Sequence, residues 1–180
     1  QELSVLPSSL YLWNFMSFRS LNKPKDLKVL MISPKSLVDE STFFLNSLSE
    51  IYDYKFQLGK MQRVSMSEDD STPGLLAVDD LNDLDKALDG AAKVLKASHA
   101  QSELVQDLLI VFPDEMHSCT SSLSAIKLYW KFKRAAESGE QSKLRISLKM
   151  IPSSFISNNG VFSTVSINLL GRLSLGIYNS

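Results

Sequence analysis

Leu108-Leu109-Ile110-Val111-Phe112, followed by Pro113, decides the fold. The run is apolar throughout, without the alternation of a strand that has one wet face. An uninterrupted run of this length suits a parallel strand covered on both sides. Proline has no N–H to give to a ladder, so Pro113 marks its end. Two further stretches share the design. Leu27-Lys28-Val29-Leu30-Met31-Ile32-Ser33 stops at Pro34, and residues 144–151, Leu144 to Ile151, stop at Pro152. The last alternates apolar with polar, which predicts a position at a sheet edge or beside a wetter face.

Helical patterns fill the gaps. After Pro34, Ser36 is the expected N-cap, with Asp39 and Glu40 in the first turn where the helix dipole favours acids. Phe44, Leu45, Leu48, Ile51 and Tyr52 then make one apolar face. A second helix is predicted from Asp79 or Asp80, with Leu81, Leu84, Leu88, Ala91 and Leu95 at helical spacing. A third follows Ser118–Ser122, carries Leu123, Ile126, Tyr129 and Trp130, and stops at Gly139. The last starts near Gly160 and aligns Phe162, Val165, Leu169, Leu170, Leu173 and Ile177. The polar stretch from Gln62 to Gly74 reads as an exposed loop, and Ala97–Gln106 as a linker. Strand-helix alternation predicts an α/β fold, a Rossmann-like three-layer sandwich with a mainly parallel central sheet. Residues 1–26 form a lead-in segment and 27–180 the domain.

Composition agrees with one such domain. The chain has 180 residues, 44% of them hydrophobic and 22% charged, which excludes disorder over the whole length. Nineteen Lys+Arg against 20 Asp+Glu give a formal net charge of -1, so the chain is not a globally basic nucleic-acid binder. Cys119 is the one cysteine, which excludes an internal disulfide and suggests a reducing compartment. No apolar run reaches the roughly 18–20 residues of a membrane span. The opening Gln1-Glu2-Leu3-Ser4 has neither an initiator Met nor the basic start of a signal peptide, and reads as a cut within a longer chain.

Little in the sequence announces chemistry. Neither a G-x-G-x-x-G nor a Walker A motif is present, so no nucleotide cofactor is expected. His117 and Cys119 stand two apart in one loop, a poor arrangement for a nucleophile and its base, and His99 reads as a solvated residue. Asp79, Asp80, Asp83 and Asp85 lack calcium-loop spacing, so no metal is expected. Ser65 and Ser67 flank Glu68-Asp69-Asp70, where phosphorylation is conceivable, though nothing in the sequence selects a residue. Lys127, Lys131, Lys133 and Arg134 form the one basic stretch that points at a polyanion. Tyr129 and Lys133 share a helix face at i, i+4, but Asp114 and Glu115 precede that helix and oppose an anion. Most simply, this is an amphipathic helix with solvated lysines. The residues assign no enzyme activity.

The ordered set of these pieces carries a resemblance. It comprises Leu10-Tyr11-Leu12-Trp13, Lys28-Val29-Leu30-Met31-Ile32-Ser33-Pro34, Phe43-Phe44-Leu45 with Leu48 and Ile51-Tyr52, Leu58-Gly59, and Arg63-Val64-Ser65. Leu109-Ile110-Val111-Phe112-Pro113-Asp114, Met150-Ile151-Pro152, and Leu170, Leu173 and Ile177-Tyr178-Asn179 complete it. Together they resemble the carboxy-terminal, Argonaute-like region of the Mediator subunit 13 family, over nearly all of the chain. The resemblance implies a MID-like lobe, with a PIWI-like lobe as its neighbour in the same chain. It implies a non-catalytic scaffold of the nuclear Mediator kinase module, whose partners are the other kinase-module subunits and core Mediator, in regulation of RNA polymerase II transcription. Argonaute MID domains hold the 5′ phosphate of a guide strand. By that resemblance Tyr129, Lys133 and Lys149 are the candidate anion or nucleic-acid contacts, and 5′-phosphate binding is the alternative function.

Overall fold

The computed structural model describes residues 23–65, 72–79, 86, 88–90, 92–93, 107–113, 130, 133–134, 145–151, 156 and 164–178. Five strands form one sheet: β1 (Leu27–Pro34), β2 (Met61–Arg63), β3 (Leu75–Val78), β4 (Asp107–Pro113) and β5 (Arg145–Ile151). Every pairing is parallel. The order is β2-β1-β4-β5, with β3 also on β1. The apolar run 108–112 therefore lies inside the sheet, in β4, and the alternating run lies in β5 at the end of the order, as its pattern predicts. The fold is a small Rossmann-like α/β sandwich.

Sequence reasoning missed β2 and β3. The segment read as an exposed loop from Gln62 to Gly74 contains part of β2, and Val64 and Gly74 are buried. These two strands occupy one edge of β1 in succession. Leu27, Lys28 and Val29 stand opposite Met61, Gln62 and Arg63, and Met31 to Pro34 opposite Leu75 to Val78. Leu30 alone faces the break. Backbone bonds seal it: Val64 N–H donates to Val29 (3.1 Å), Gly74 N–H to Val64 (2.8 Å) and Met31 N–H to Gly74 (2.7 Å). β2 and β3 thus behave as one edge strand interrupted opposite Leu30.

A 3-10 turn (Lys35–Leu37) follows β1 and leads into α1 (Val38–Glu50). The expected N-cap at Ser36 is not used: Leu37 occupies the cap position without a side-chain hydrogen bond. Asp39 and Glu40 do lie in the first turn. A π turn, Ile51–Lys55, continues α1. It closes with Gln57 at φ 52 and a bond from Leu58 N–H to the Tyr52 carbonyl (3.0 Å). A left-handed residue followed by a bond back to a carbonyl of the last turn, here from i+6 to i, is how a helix end satisfies its last carbonyls. Helix α2 (Thr164–Tyr178) is the last described element. Gly139, Phe162 and Val165, and most of the second and third predicted helices, lie outside the described side chains, though Lys86, Leu88, Asp89, Gly90, Ala92, Lys93, Trp130, Lys133 and Arg134 are helical.

The core follows from the pleat. Leu27, Val29 and Met31, alternate residues of β1, join Phe44, Leu45 and Leu48 of α1, Ile51 and Tyr52 of the π turn, and Leu170, Ile177 and Tyr178 of α2. Leu30 and Ile32 point the other way, yet both have no exposed surface. Leu88 and Ala92, four apart among helical residues, are likewise buried outside that cluster. Both faces of β1 are dry, as a parallel sheet requires. Burying side chains of this size is worth about 1.5–3 kcal/mol each. Two expected core residues are not in it: Trp130 is 50% exposed and Leu169 36%.

The last residues of the lead-in belong to this framework. Lys25 N–H donates to the Leu58 carbonyl (2.7 Å) and Leu27 N–H to Lys60 (2.9 Å), extending the β1–β2 ladder backwards. The Tyr52 hydroxyl donates to the Lys25 carbonyl (2.8 Å), and the Tyr178 hydroxyl to Lys23 (2.9 Å). Gly59, at φ 146, lies so close to the Lys25 backbone that a Cβ there would collide with it. A side chain at this position is excluded both by conformation and by space.

Candidate functional site

From β1 the chain moves to one side of the sheet for β2 and β3, then crosses to the other side for β4. The direction reverses between β1 and β4. In open parallel sheets the crevice above the carboxyl ends at such a point is where ligands bind. On the β1 side this crevice is built from Ser33, Pro34, the 3-10 turn and the first turn of α1.

Its groups satisfy one another. The Ser33 and Ser41 hydroxyls are 2.7 Å apart, and both residues are fully buried. Ser33 Oγ also lies 3.2 Å from the Pro34 carbonyl, which accepts from it. Register then brings a charge pair together: Pro34 stands opposite Val78, so the following residues, Lys35 and Asp79, emerge side by side. Lys35 Nζ donates to Asp79 Oδ2 at 2.6 Å. The pair is more than half exposed and contributes at most about 1 kcal/mol. Of the two expected starts of the second helix, Asp79 is not helical, and Asp80 lies outside the described residues. An anion approaching here meets Asp39 and Glu40 on α1 and a lysine already paired. No glycine stands between β1 and α1 to bare the backbone N–H groups. On this side the Ser33 and Ser41 hydroxyls bond each other and Lys35 is paired with Asp79.

Of the three candidate contacts, Tyr129 lies outside the described residues. Lys133 Nζ sits over the Trp130 ring, 5.2 Å from its centroid, a cation–π arrangement on an exposed helical surface. Lys149, on β5, donates to the Gly176 carbonyl in the last turn of α2 at 3.4 Å. A cation at the carboxyl end of a helix offsets the unpaired carbonyls there. The two lysines therefore have different partners, and each partner has a structural use. His99, His117, Cys119, Asp114 and Glu115 lie outside the described residues, as do Asp80, Asp83 and Asp85. Among the described residues, no cluster of His, Cys, Asp and Glu could hold a metal ion. No helix among them is long and apolar enough to cross a membrane.

One cation escaped the sequence reading. Arg63, at the end of β2, donates from its guanidinium to Asn46 Oδ1 on the outer side of α1. Burial lowers its pKa from the ordinary guanidinium value. Only the parallel pairing of β2 with β1 puts Arg63 beside α1, and Gln62-Arg63 in a polar stretch gives no signal of that. No protein-family model matches the sequence, and no curated protein matches it either.

Proposed function

We propose that this chain is a non-catalytic, MID-like scaffold domain of the Mediator subunit 13 family, working in the nuclear kinase module that regulates RNA polymerase II transcription. The observation that carries the reading is the unit from β1 to Gly59. Pro34 ends β1, Phe44, Leu48, Ile51 and Tyr52 fill the core, and Gly59 packs against the Lys25 backbone. Residues 28–34, 43–52 and 58–59 of the resemblance thus lie at the joints of an all-parallel α/β sheet, while residues 10–13, Asp114, Pro152 and Asn179 lie outside the described residues. A scaffold acts through shape and surface, and a strand end where the Ser33 and Ser41 hydroxyls bond each other and Lys35 is paired fits that role.

The test is reconstitution. A kinase module assembled with the full-length subunit is compared with one whose subunit lacks this domain. The expected result is weaker co-sedimentation with core Mediator; unaltered assembly overturns the scaffold reading. The rival reading, capture of a 5′ phosphate, is tested on the 180-residue chain with short 5′-phosphorylated and unphosphorylated strands at low salt. Equal, unsaturable signals are expected. Saturable binding that requires the phosphate and weakens in Lys133→Ala would replace the proposal.

A further inference from the structure

The chain enters β3 through Thr72-Pro73-Gly74. Thr72 is half-buried and Pro73 exposed. The Thr72 carbonyl accepts from Leu75 N–H at 3.1 Å, and this turn leads directly into β3. Gly74, at φ 83, is pressed against the stem of Arg63: a Cβ there would lie 2.8 Å from Arg63 Cβ and 3.0 Å from its Cγ. Thr72 is thereby tethered two residues from the stem of an arginine. Among the described residues that arginine has a neutral amide, Asn46, as its hydrogen-bond partner and no carboxylate. A guanidinium is the preferred receptor for a phosphate, which it can meet with two parallel hydrogen bonds.

We propose that Thr72 is a phosphorylation site for a proline-directed kinase, and that Arg63 receives the phosphate. The order Thr72-Pro73 supplies the acceptor hydroxyl and the proline at the following position that such kinases read. The γ-phosphoryl group of ATP passes to Thr72 Oγ, the hydroxyl proton leaves to the kinase's base, and ADP departs. The product carries about −1.5 to −2 charges at neutral pH. Two residues of turn plus the phosphate put its oxygens within an arginine side chain's length of Arg63, at roughly 3.3 Å of reach per residue. The new pair would tie Thr72 to Arg63 at the seal between β2 and β3. It is independent of the scaffold reading, since it draws only on this edge of the sheet.

The experiment treats the 180-residue chain with a proline-directed kinase and ATP, maps the phosphate by mass spectrometry, and follows the phosphothreonine by phosphorus NMR against pH. Thr72→Ala should abolish the modification. In the wild type, the second phosphate pKa should fall by about half a unit or more from its usual value near 6. Arg63→Gln should restore the usual value, and Arg63→Lys should keep part of the shift, which separates a charge effect from misfolding. Failure of Thr72 to accept phosphate, or the same phosphate pKa in wild type and Arg63→Gln, overturns the proposal.

Discussion

Asp53 illustrates how one side chain couples shape to pH. Its Oδ1 accepts from Met61 N–H at 2.8 Å and so fixes where β2 begins. Burial raises its pKa above the ordinary 3.8, against the lowering effect of the Met61 N–H, with Asp26 adding to the rise and Lys60 opposing it. A carboxyl whose folded pKa is raised holds its proton more tightly in the folded chain than in the unfolded one. The associated stability is present below the unfolded pKa and is lost as pH climbs through the folded value. Asp53→Asn keeps a carbonyl oxygen for Met61 and removes the buried charge. Urea denaturation of this variant should show a flatter pH profile above about pH 4 than the wild type, and no loss of stability at pH 7. Asp53→Ala, which leaves the Met61 N–H without its acceptor, should lose about 1 kcal/mol. A wild-type profile retained in Asp53→Asn would mean that another group sets this pH dependence.

At the scale of elements, legibility followed apolar content. β1, β4, β5 and α1 announce themselves because each carries a run or face that must leave water, and hydrophobic spacing is a property of sequence. β2 and β3 do not. Both are short: Gln62 and Arg63 give β2 no apolar period, and β3, Leu75-Leu76-Ala77-Val78, is apolar but at four residues too brief to be told from the start of a helix, so main-chain bonds to β1 make them strands. The candidate site shows the same division. Lys149 was legible as a cation, but its acceptor, the Gly176 carbonyl, is 27 residues away, and only packing reveals it. The lead-in was legible only as a segment ahead of β1, because its attachment runs through two tyrosine hydroxyls. Tyr178 lies 155 residues from Lys23 in sequence and ties α2 to the amino end of the sheet. Tyr178→Phe keeps the buried ring and removes only that bond. A loss of about 1 kcal/mol is expected, with faster amide exchange at Lys25 and Leu27, where the ladder continues. Unchanged exchange there would show that the ladder and Tyr52 alone secure this strap.

On the scale of the whole molecule, the sheet is continuous where the chain is not. Val29 stands opposite Arg63 and Met31 opposite Leu75, so the partner strand needs one residue opposite Leu30 where the sequence spends Val64 to Gly74. Two strand steps cover about 6.6–6.8 Å, the distance one residue must bridge. A chain in which a single Val replaces Val64–Gly74 should therefore fold with β2 and β3 fused into one unbroken edge strand. Loop closure changes little with length, so the entropic gain from the deletion is small, on the order of 1–2 kcal/mol. It is set against the loss of the bonds that seal the break. Far-UV circular dichroism should be preserved, and the melting temperature should remain near that of the parent. The Lys35–Asp79 pair should persist, because it depends on the Pro34–Val78 register alone. Such an outcome would make residues 64–74 dispensable for folding. Collapse of the fused chain would instead make Val64 and the Val64–Gly74 bond, buried at the middle of β1, essential to the sheet.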